Sequence, residues 1–188
     1  MRTAARSTTR TDSWHPFKPA GSVDINALFD EVYPSLFRYC HRLTGDPDAA
    51  DDMAQEAFVR LLDRGPRGPQ HGLRVWMFRV ATNLIRDAAR QGQTRRRILA
   101  GVNPPGPAPS PELEMERSEE IQEVRAALNQ LAPRDREVLL LRQEGFSYKE
   151  IAQMVDVAPT SVGTLLARAL NRFASVYSKE KKGNGTSG

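Results

Sequence analysis

From Asp24 onward the apolar positions recur every three or four residues, at Ile25, Leu28, Phe29, Val32, Tyr33, Leu36, Phe37 and Cys40. That is the period of a helix with one side turned inward. Asp24 is placed to cap it, and a kink is expected at Pro34. The next run, "DPDAADDMAQEAFVRLLDRG", carries its start signal openly: Asp46 as cap, Pro47 at the first helical position and Asp48 at the positive end of the helix dipole. Gly65 ends it. Its inner face is expected to be Ala50, Met53, Ala57, Phe58 and Leu61, with Asp52, Gln55, Glu56, Val59 and Asp63 along the other side. After the Gly/Pro break "RGPRGPQHG", a third helix follows in "VWMFRVATNLIRDAARQGQTRRR", with Met77, Val80, Ala81, Leu84 and Ala88 on one face.

The Pro-dense stretch that follows, "AGVNPPGPAPSPELEMERSEE", sustains neither helix nor central strand and reads as a linker. Beyond it Ile121, Val124, Ala127, Leu128 and Leu131 mark another helix, and Pro133 opens the next, "PRDREVLLLRQEG". Ser147 and Glu150 stand at capping-box spacing ahead of Ile151, Ala152, Met154 and Val155. "DVAP" then makes a turn into a last helix from Pro159 through Phe173. Helix, short turn, helix is the layout of a DNA-binding helix-turn-helix. No alternating strand pattern and no internal repeat is visible. The sequence therefore predicts an all-α chain of two small helical domains, residues 23–99 and 118–177, joined by a linker over 100–117. Disordered tails are expected at 1–22 and 178–188.

Charge is more informative in its distribution than in its total of +4. Arg86, Arg90, Arg95, Arg96 and Arg97 gather in the third helix, whereas Glu112, Glu114, Glu116, Glu119, Glu120 and Glu123 gather around the linker. The separation points to a polyanion-binding surface and a distinct acidic segment. On the third helix Trp76 falls on the basic side, in line with Arg79, Asn83, Arg86 and Arg90. An exposed aromatic among arginines suits a single-stranded target, because a ring stacks on an unpaired base while cations hold phosphates. A ring packed against the neighbouring helix is the structural alternative. In the last helix Val162, Leu165, Leu166, Ala169 and Phe173 are expected to face inward. That leaves Thr160, Ser161, Gly163, Thr164, Ala167, Arg168 and Arg172 for duplex DNA or solvent.

Other chemistries lose support. Cys40 is the only cysteine, so no intramolecular disulfide can form, and a reducing compartment and a structural, buried thiol are expected. His15, His41 and His71 lack ligand spacing, so no metal and no cofactor is expected. There is no phosphate-cradling glycine loop, and the acidic pairs Asp51/Asp52 and Glu119/Glu120 diverge on a helix, which argues against an enzyme. No apolar run approaches the ~20 residues a bilayer span needs, and "MRTAARSTTRTDS" lacks a secretory apolar core. A cytoplasmic chain with no membrane insertion is expected.

Four stretches taken together, "DPDAADDMAQEAFVRLL", "WMFRVATNLIRDAARQGQTRRR", "LNQLAPRDREVLLLRQEGFSYKEIAQMV" and "SVGTLLARALNRF", resemble the extracytoplasmic-function (ECF) group of bacterial sigma-70-type factors in order and spacing. The resemblance implies that Asp52, Gln55 and Glu56 meet the coiled-coil of the polymerase β′ subunit. It implies also that Trp76, Arg79, Asn83, Arg86, Arg90 and Arg95 to Arg97 serve the opened minus-ten element, with Asn83 near a flipped-out base. The second domain would read the minus-thirty-five duplex through Thr160, Ser161, Gly163, Thr164, Arg168 and Arg172 and bind the flap of the β subunit. Partners implied are core RNA polymerase, promoter DNA and a dedicated anti-sigma factor. The chain departs from the family pattern where "TSVGTLLARA" puts Gly163 at a common lysine position and leucines at often polar ones, and where Ala158 replaces a polar cap. A stand-alone helix-turn-helix regulator is the alternative reading, since "LAPRDREVLLLRQEGFSYKEIA" also looks like a response-regulator DNA-binding module. A pure protein-interaction bundle is the third, opposed by the Trp/Asn/Arg stripe.

Overall fold

The computed structural model describes residues 23–98 and 119–184, with side chains over 23–92 and 121–179. Seven helices are found there: α1 (Ile25–Thr44), α2 (Pro47–Arg64), α3 (Gln70–Ile98), α4 (Glu119–Asn129), α5 (Pro133–Gln143), α6 (Tyr148–Val155) and α7 (Pro159–Asn184). There is no strand among the described residues.

The helix ends follow the local chemistry. The Asp24 carboxylate accepts the Asn26 and Ala27 amides at 3.0 and 3.1 Å, and Asp46 does the same for Asp48 and Ala49. Gly45 closes α1 at φ 74°, where a side chain would be strained. At Ser147 both halves of the capping box are present: the Ser147 hydroxyl accepts the Glu150 amide and the Glu150 carboxylate accepts the Ser147 amide at 2.8 Å. Helix α1 runs through Pro34 as one element from Ile25 to Thr44.

Helices α1, α2 and α3 pack as one bundle around Leu28, Val32, Leu36, Ala54, Ala57, Leu61, Met77 and Ala81. Helices α4 to α7 form a second around Val138, Leu141, Ile151, Met154, Val162 and Ala169. Two polar groups are sealed inside the first bundle. Tyr39 and Thr82 share a buried hydrogen bond of 2.8 Å, and Thr82 in turn donates to the Phe78 carbonyl, which leaves Tyr39 as the donor between them. Cys40 is buried beside them, and loss of hydration pushes its thiol up to about 12, so it stays protonated and inert.

Three expectations change. Phe29 is 42% exposed rather than inward, stacked on Tyr33 at 4.5 Å and tilted against Phe58 at 5.0 Å. Ala88 on α3 is exposed rather than inward. Helix α7 does not stop near Phe173 but continues to Asn184, into the stretch expected to be a disordered tail. Phe173 and Tyr177 stack one turn apart at 5.8 Å, and the Ser178 hydroxyl bonds the Ala174 carbonyl, so the extra turns have side-chain support. The linker, the N-terminal tail, the acidic residues Glu112, Glu114 and Glu116, and the side chains of Glu119, Glu120 and Arg95 to Arg97 lie outside the described residues.

Candidate nucleic-acid interface

Helix α3 carries the first candidate surface. Its N-terminal half is enclosed almost all round, with Leu73, Val75, Trp76, Met77, Phe78, Val80, Ala81 and Thr82 buried. Trp76 is therefore not the exposed aromatic that the single-face periodicity predicts: it is 8% exposed, and the Arg64 guanidinium covers its ring at 5.6 Å. The physical reason is that α3 touches α1, α2 and α6, so residues on more than one side of it are inside. Below Trp76 the stripe opens out. Arg79, Asn83 and Arg86 are half-buried, and Arg90 is exposed and paired with Asp87. Arg86 donates from Nε to Glu137 at 3.0 Å and from Nη2 to the second carboxylate oxygen. Burial alone would depress the Arg86 guanidinium, but the Glu137 carboxylate bonded to it reverses the direction and raises it.

The helix-turn-helix is formed by α6, the Asp156–Ala158 turn and α7. Asp156 adopts φ 56° at the end of α6. Thr160, Ser161, Thr164, Ala167, Arg168 and Arg172 are exposed on α7, while Val162, Leu166 and Ala169 are buried and Leu165 and Phe173 half-buried, as the period requires. Gly163 sits under Tyr148 of α6, 3.7 Å from where a β-carbon would stand. Arg168 and Arg172 both turn to Asp135 of α5, a buried carboxylate: Arg168 Nη2 is 3.6 Å from it, and Arg172 Nη1 bonds its other oxygen. Half of each arginine side chain remains exposed.

The third surface lies on α2. Asp52 is exposed, the Gln55 amide donates to Asp51 at 2.7 Å, and Glu56 pairs with Arg60 at 2.7 Å. Tyr33 donates to Asp51 from α1, and burial together with that carboxylate pushes the phenol up to about 12. Val59 and Leu62 are exposed on the same helix, as is Phe29 on α1. The result is an acidic strip edged by an apolar patch, of which the sequence pattern indicated only Val59.

Sequence reasoning missed Arg74, Asp135, Glu137 and Phe146, all of which organise these surfaces. Their partners lie far off in sequence, so no periodicity marks them. The described residues contain no group of acidic, histidine and cysteine side chains able to hold a metal, and no helix of them is long and apolar enough to cross a membrane.

Known proteins share this arrangement. The family model "Sigma-70 region 2" matches residues 28–96, and "Sigma-70, region 4" matches residues 121–173. The chain is 33% identical to the ECF RNA polymerase sigma factor EcfG of Rhodopseudomonas palustris, over 81% of this chain and 84% of that one. It belongs to the ECF group of the sigma-70 family. The ferric citrate uptake sigma factor FecI of Escherichia coli is 31% identical, with 79% and 88% covered. The ECF sigma factor SigG of Mycobacterium tuberculosis is 31% identical over 81% of this chain, which spans about half of that longer relative, 48%. In fold, this ECF chain is similar to the sigma factor RpoE of Bartonella quintana, solved in complex with the anti-sigma factor NepR. The TM-score is 0.70 at 24% identity, covering 82% and 97% of the two chains. CnrH, solved with the cytosolic domain of CnrY, gives 0.55 at 20% identity, covering 82% and 88%.

Proposed function

We propose that this chain is a transcription initiation factor that binds core RNA polymerase, directs it to a two-element promoter and helps hold the melted strand, with no chemistry of its own. One observation carries the reading. A region 2 bundle and a region 4 helix-turn-helix occur in one chain in family order. Asp52, Gln55 and Glu56 on α2, edged by Phe29, Val59 and Leu62, serve as the polymerase-binding face; an apolar patch rimmed by polar groups is what a protein partner covers. Arg79, Asn83, Arg86, Arg90 and Arg95 to Arg97 serve the single strand of the minus-ten element. Trp76, capped by Arg64, supports that surface from beneath, and its ring reaches a base only when Arg64 moves. Thr160, Ser161, Gly163, Thr164, Arg168 and Arg172 face the minus-thirty-five duplex, whose phosphates and base edges such side chains contact.

The division into domains at 23–99 and 118–177 is part of the same proposal, as is a dedicated anti-sigma partner. RpoE was solved with the anti-sigma factor NepR, and CnrH with the cytosolic domain of CnrY. Reconstituted transcription tests the whole. Core polymerase plus this protein is expected to start at defined promoters in a genomic library. Failure to initiate anywhere, together with tight binding of duplex operators by the protein alone, would replace this reading with a stand-alone regulator.

A further inference from the structure

Up to Arg172 the exposed side of α7 is short and mostly uncharged. Thr160, Ser161, Thr164 and Ala167 reach little beyond the helix surface, and Gly163 has no side chain at all. Between Pro159 and Arg172 the helix carries two cations, Arg168 and Arg172, one turn apart on the same face. A helix that holds duplex DNA needs cations for the phosphates, so that task falls on these two. Both are tied to one group. Asp135 lies in the first turn of α5, 1% exposed, and its oxygens divide the arginines between them: Arg172 Nη1 donates to Oδ2, and Arg168 Nη2 stands 3.6 Å from Oδ1. The turn that carries Asp135 is anchored as well, because the Arg134 guanidinium donates to the Val155 carbonyl at the end of α6, 3.0 Å away. One turn of α5 therefore reaches both helices of the helix-turn-helix, α6 through Arg134 and α7 through Asp135.

Stability alone does not call for this arrangement. Each arginine side chain is 52% exposed, so water would solvate it, and a buried carboxylate is a poor source of stability when an apolar residue fills the same space. What the triad does is fix where two guanidinium groups stand. A guanidinium offers five N–H donors in a planar fork, and Asp135 takes up only part of each. An arginine that is free in solvent gives up rotamer freedom when it grips a phosphate, a factor of roughly two to ten in affinity for each side chain. Asp135 removes that cost in advance for both.

We propose that Asp135 is a positioning residue for duplex binding, holding Arg168 and Arg172 on the exposed side of α7 so that their remaining donors meet the phosphates beside the bases that Thr160, Ser161 and Thr164 face. This rests on the duplex-binding role proposed for α7 above. Charge alone predicts the opposite effect of Asp135. Without this carboxylate the chain gains one positive charge close to DNA, which by itself tightens binding. Positioning predicts weaker binding, because the order lost in two long side chains outweighs one added charge in buffer whose Debye length is about 8 Å.

The test uses the full chain at physiological ionic strength. Wild type first selects a duplex of roughly 20 base pairs, two turns of DNA, from a randomised pool, and a mixed-sequence duplex of the same length is the comparison. Asp135→Asn, which keeps the shape of the side chain and removes its charge, is expected to weaken binding to the selected duplex about five-fold or more. Binding to the mixed-sequence duplex should stay unchanged or tighten, so the specificity ratio falls. In an Arg168→Ala, Arg172→Ala background the same substitution is expected to weaken nothing further, a dependence that mere support of the fold would not show. Circular dichroism and urea midpoints report folding of each variant, and Arg168→Lys with Arg172→Lys serves as the background if the alanine pair unfolds. Equal or tighter binding of the selected duplex by Asp135→Asn overturns the positioning and leaves α7 as the duplex reader. Equal weakening with and without the two arginines overturns it as well. If removing both arginines costs nothing on the selected duplex, or the pool yields no selected sequence, the duplex reading of α7 falls and the positioning falls with it.

Discussion

A carboxylate with almost no contact with water needs cations, and Asp135 has two, Arg168 and Arg172 from α7. The two directions of breaking this triad differ. Asp135→Ala removes the buried charge and lets two half-exposed arginines turn to solvent, a loss of about 1 kcal/mol in charged hydrogen bonds. Arg168→Ala with Arg172→Ala leaves the carboxylate buried and alone, which costs about 3 kcal/mol or more. Urea unfolding of the two variants is expected to show that order; equal losses would mean that Asp135 is hydrated in solution. Asn83 makes a different case, since it is half-buried on α3. Asn83→Ala is expected to reduce promoter opening, read by permanganate reactivity of unpaired thymines, by about ten-fold or more, the worth of one specific hydrogen-bonding contact to a base. Binding to core polymerase should stay nearly unchanged. Equal loss of both with the fold intact removes Asn83 from the strand-binding set.

At the scale of single helices, local chemistry decides, and this is where the sequence speaks most clearly. Asp24, Asp46 and the Ser147/Glu150 box cap their helices through groups two or three residues away, so spacing alone reveals them. Trp76 could not be read that way. Periodicity locates one buried face, whereas α3 is enclosed by α1, α2 and α6, and the last of these lies more than seventy residues on. Arg74 with Glu144 and Arg86 with Glu137 were hidden for the same reason: each charge, taken singly, looks like a solvated one. The capping box also gives a pH signature. Burial tends to raise Glu150, but the Ser147 hydroxyl and amide and the His71 ring outweigh it and hold the carboxyl below its usual range. A group whose folded pKa is depressed stabilises above its unfolded value, about 4.3 for Glu, and loses that contribution as pH falls through the folded value. Glu150→Gln should therefore cost stability at neutral pH and narrow the gap to wild type in acid, seen as converging urea midpoints. On α7, Gly163→Ala is expected to raise stability by about 1 kcal/mol from helix propensity, because the new methyl meets Tyr148 at an ordinary 3.7 Å. A lower urea midpoint instead would show that Tyr148 uses that space.

For the molecule as a whole, the question is whether two bundles of three and four helices behave as two bodies or one. Units this small seldom hold more than a few kcal/mol in their own cores, so burial they share matters. The buried side chains of α1, α2 and α3 are continuous with those of α5, α6 and α7, with Phe78 against Phe146 at the join. Separating them exposes both rings and leaves Glu137 and Arg86 to be hydrated apart. Breaking one contact is limited in cost, because the molecule can open and solvate the orphaned charge before the bundles unfold. The consequence appears as lost coupling rather than as a large drop in stability. Wild type is expected to melt in one calorimetric transition whose van't Hoff and calorimetric enthalpies agree. Glu137→Gln with Glu144→Ala should divide it into two, the second bundle melting first since it loses the cover over Phe146. Raising salt should weaken the coupling only in part, because the dry Arg86–Glu137 fork is screened much less than charges in contact with water. Two separate transitions in wild type at low salt would show that the bundles are independent and that the shared core contributes nothing to their stability.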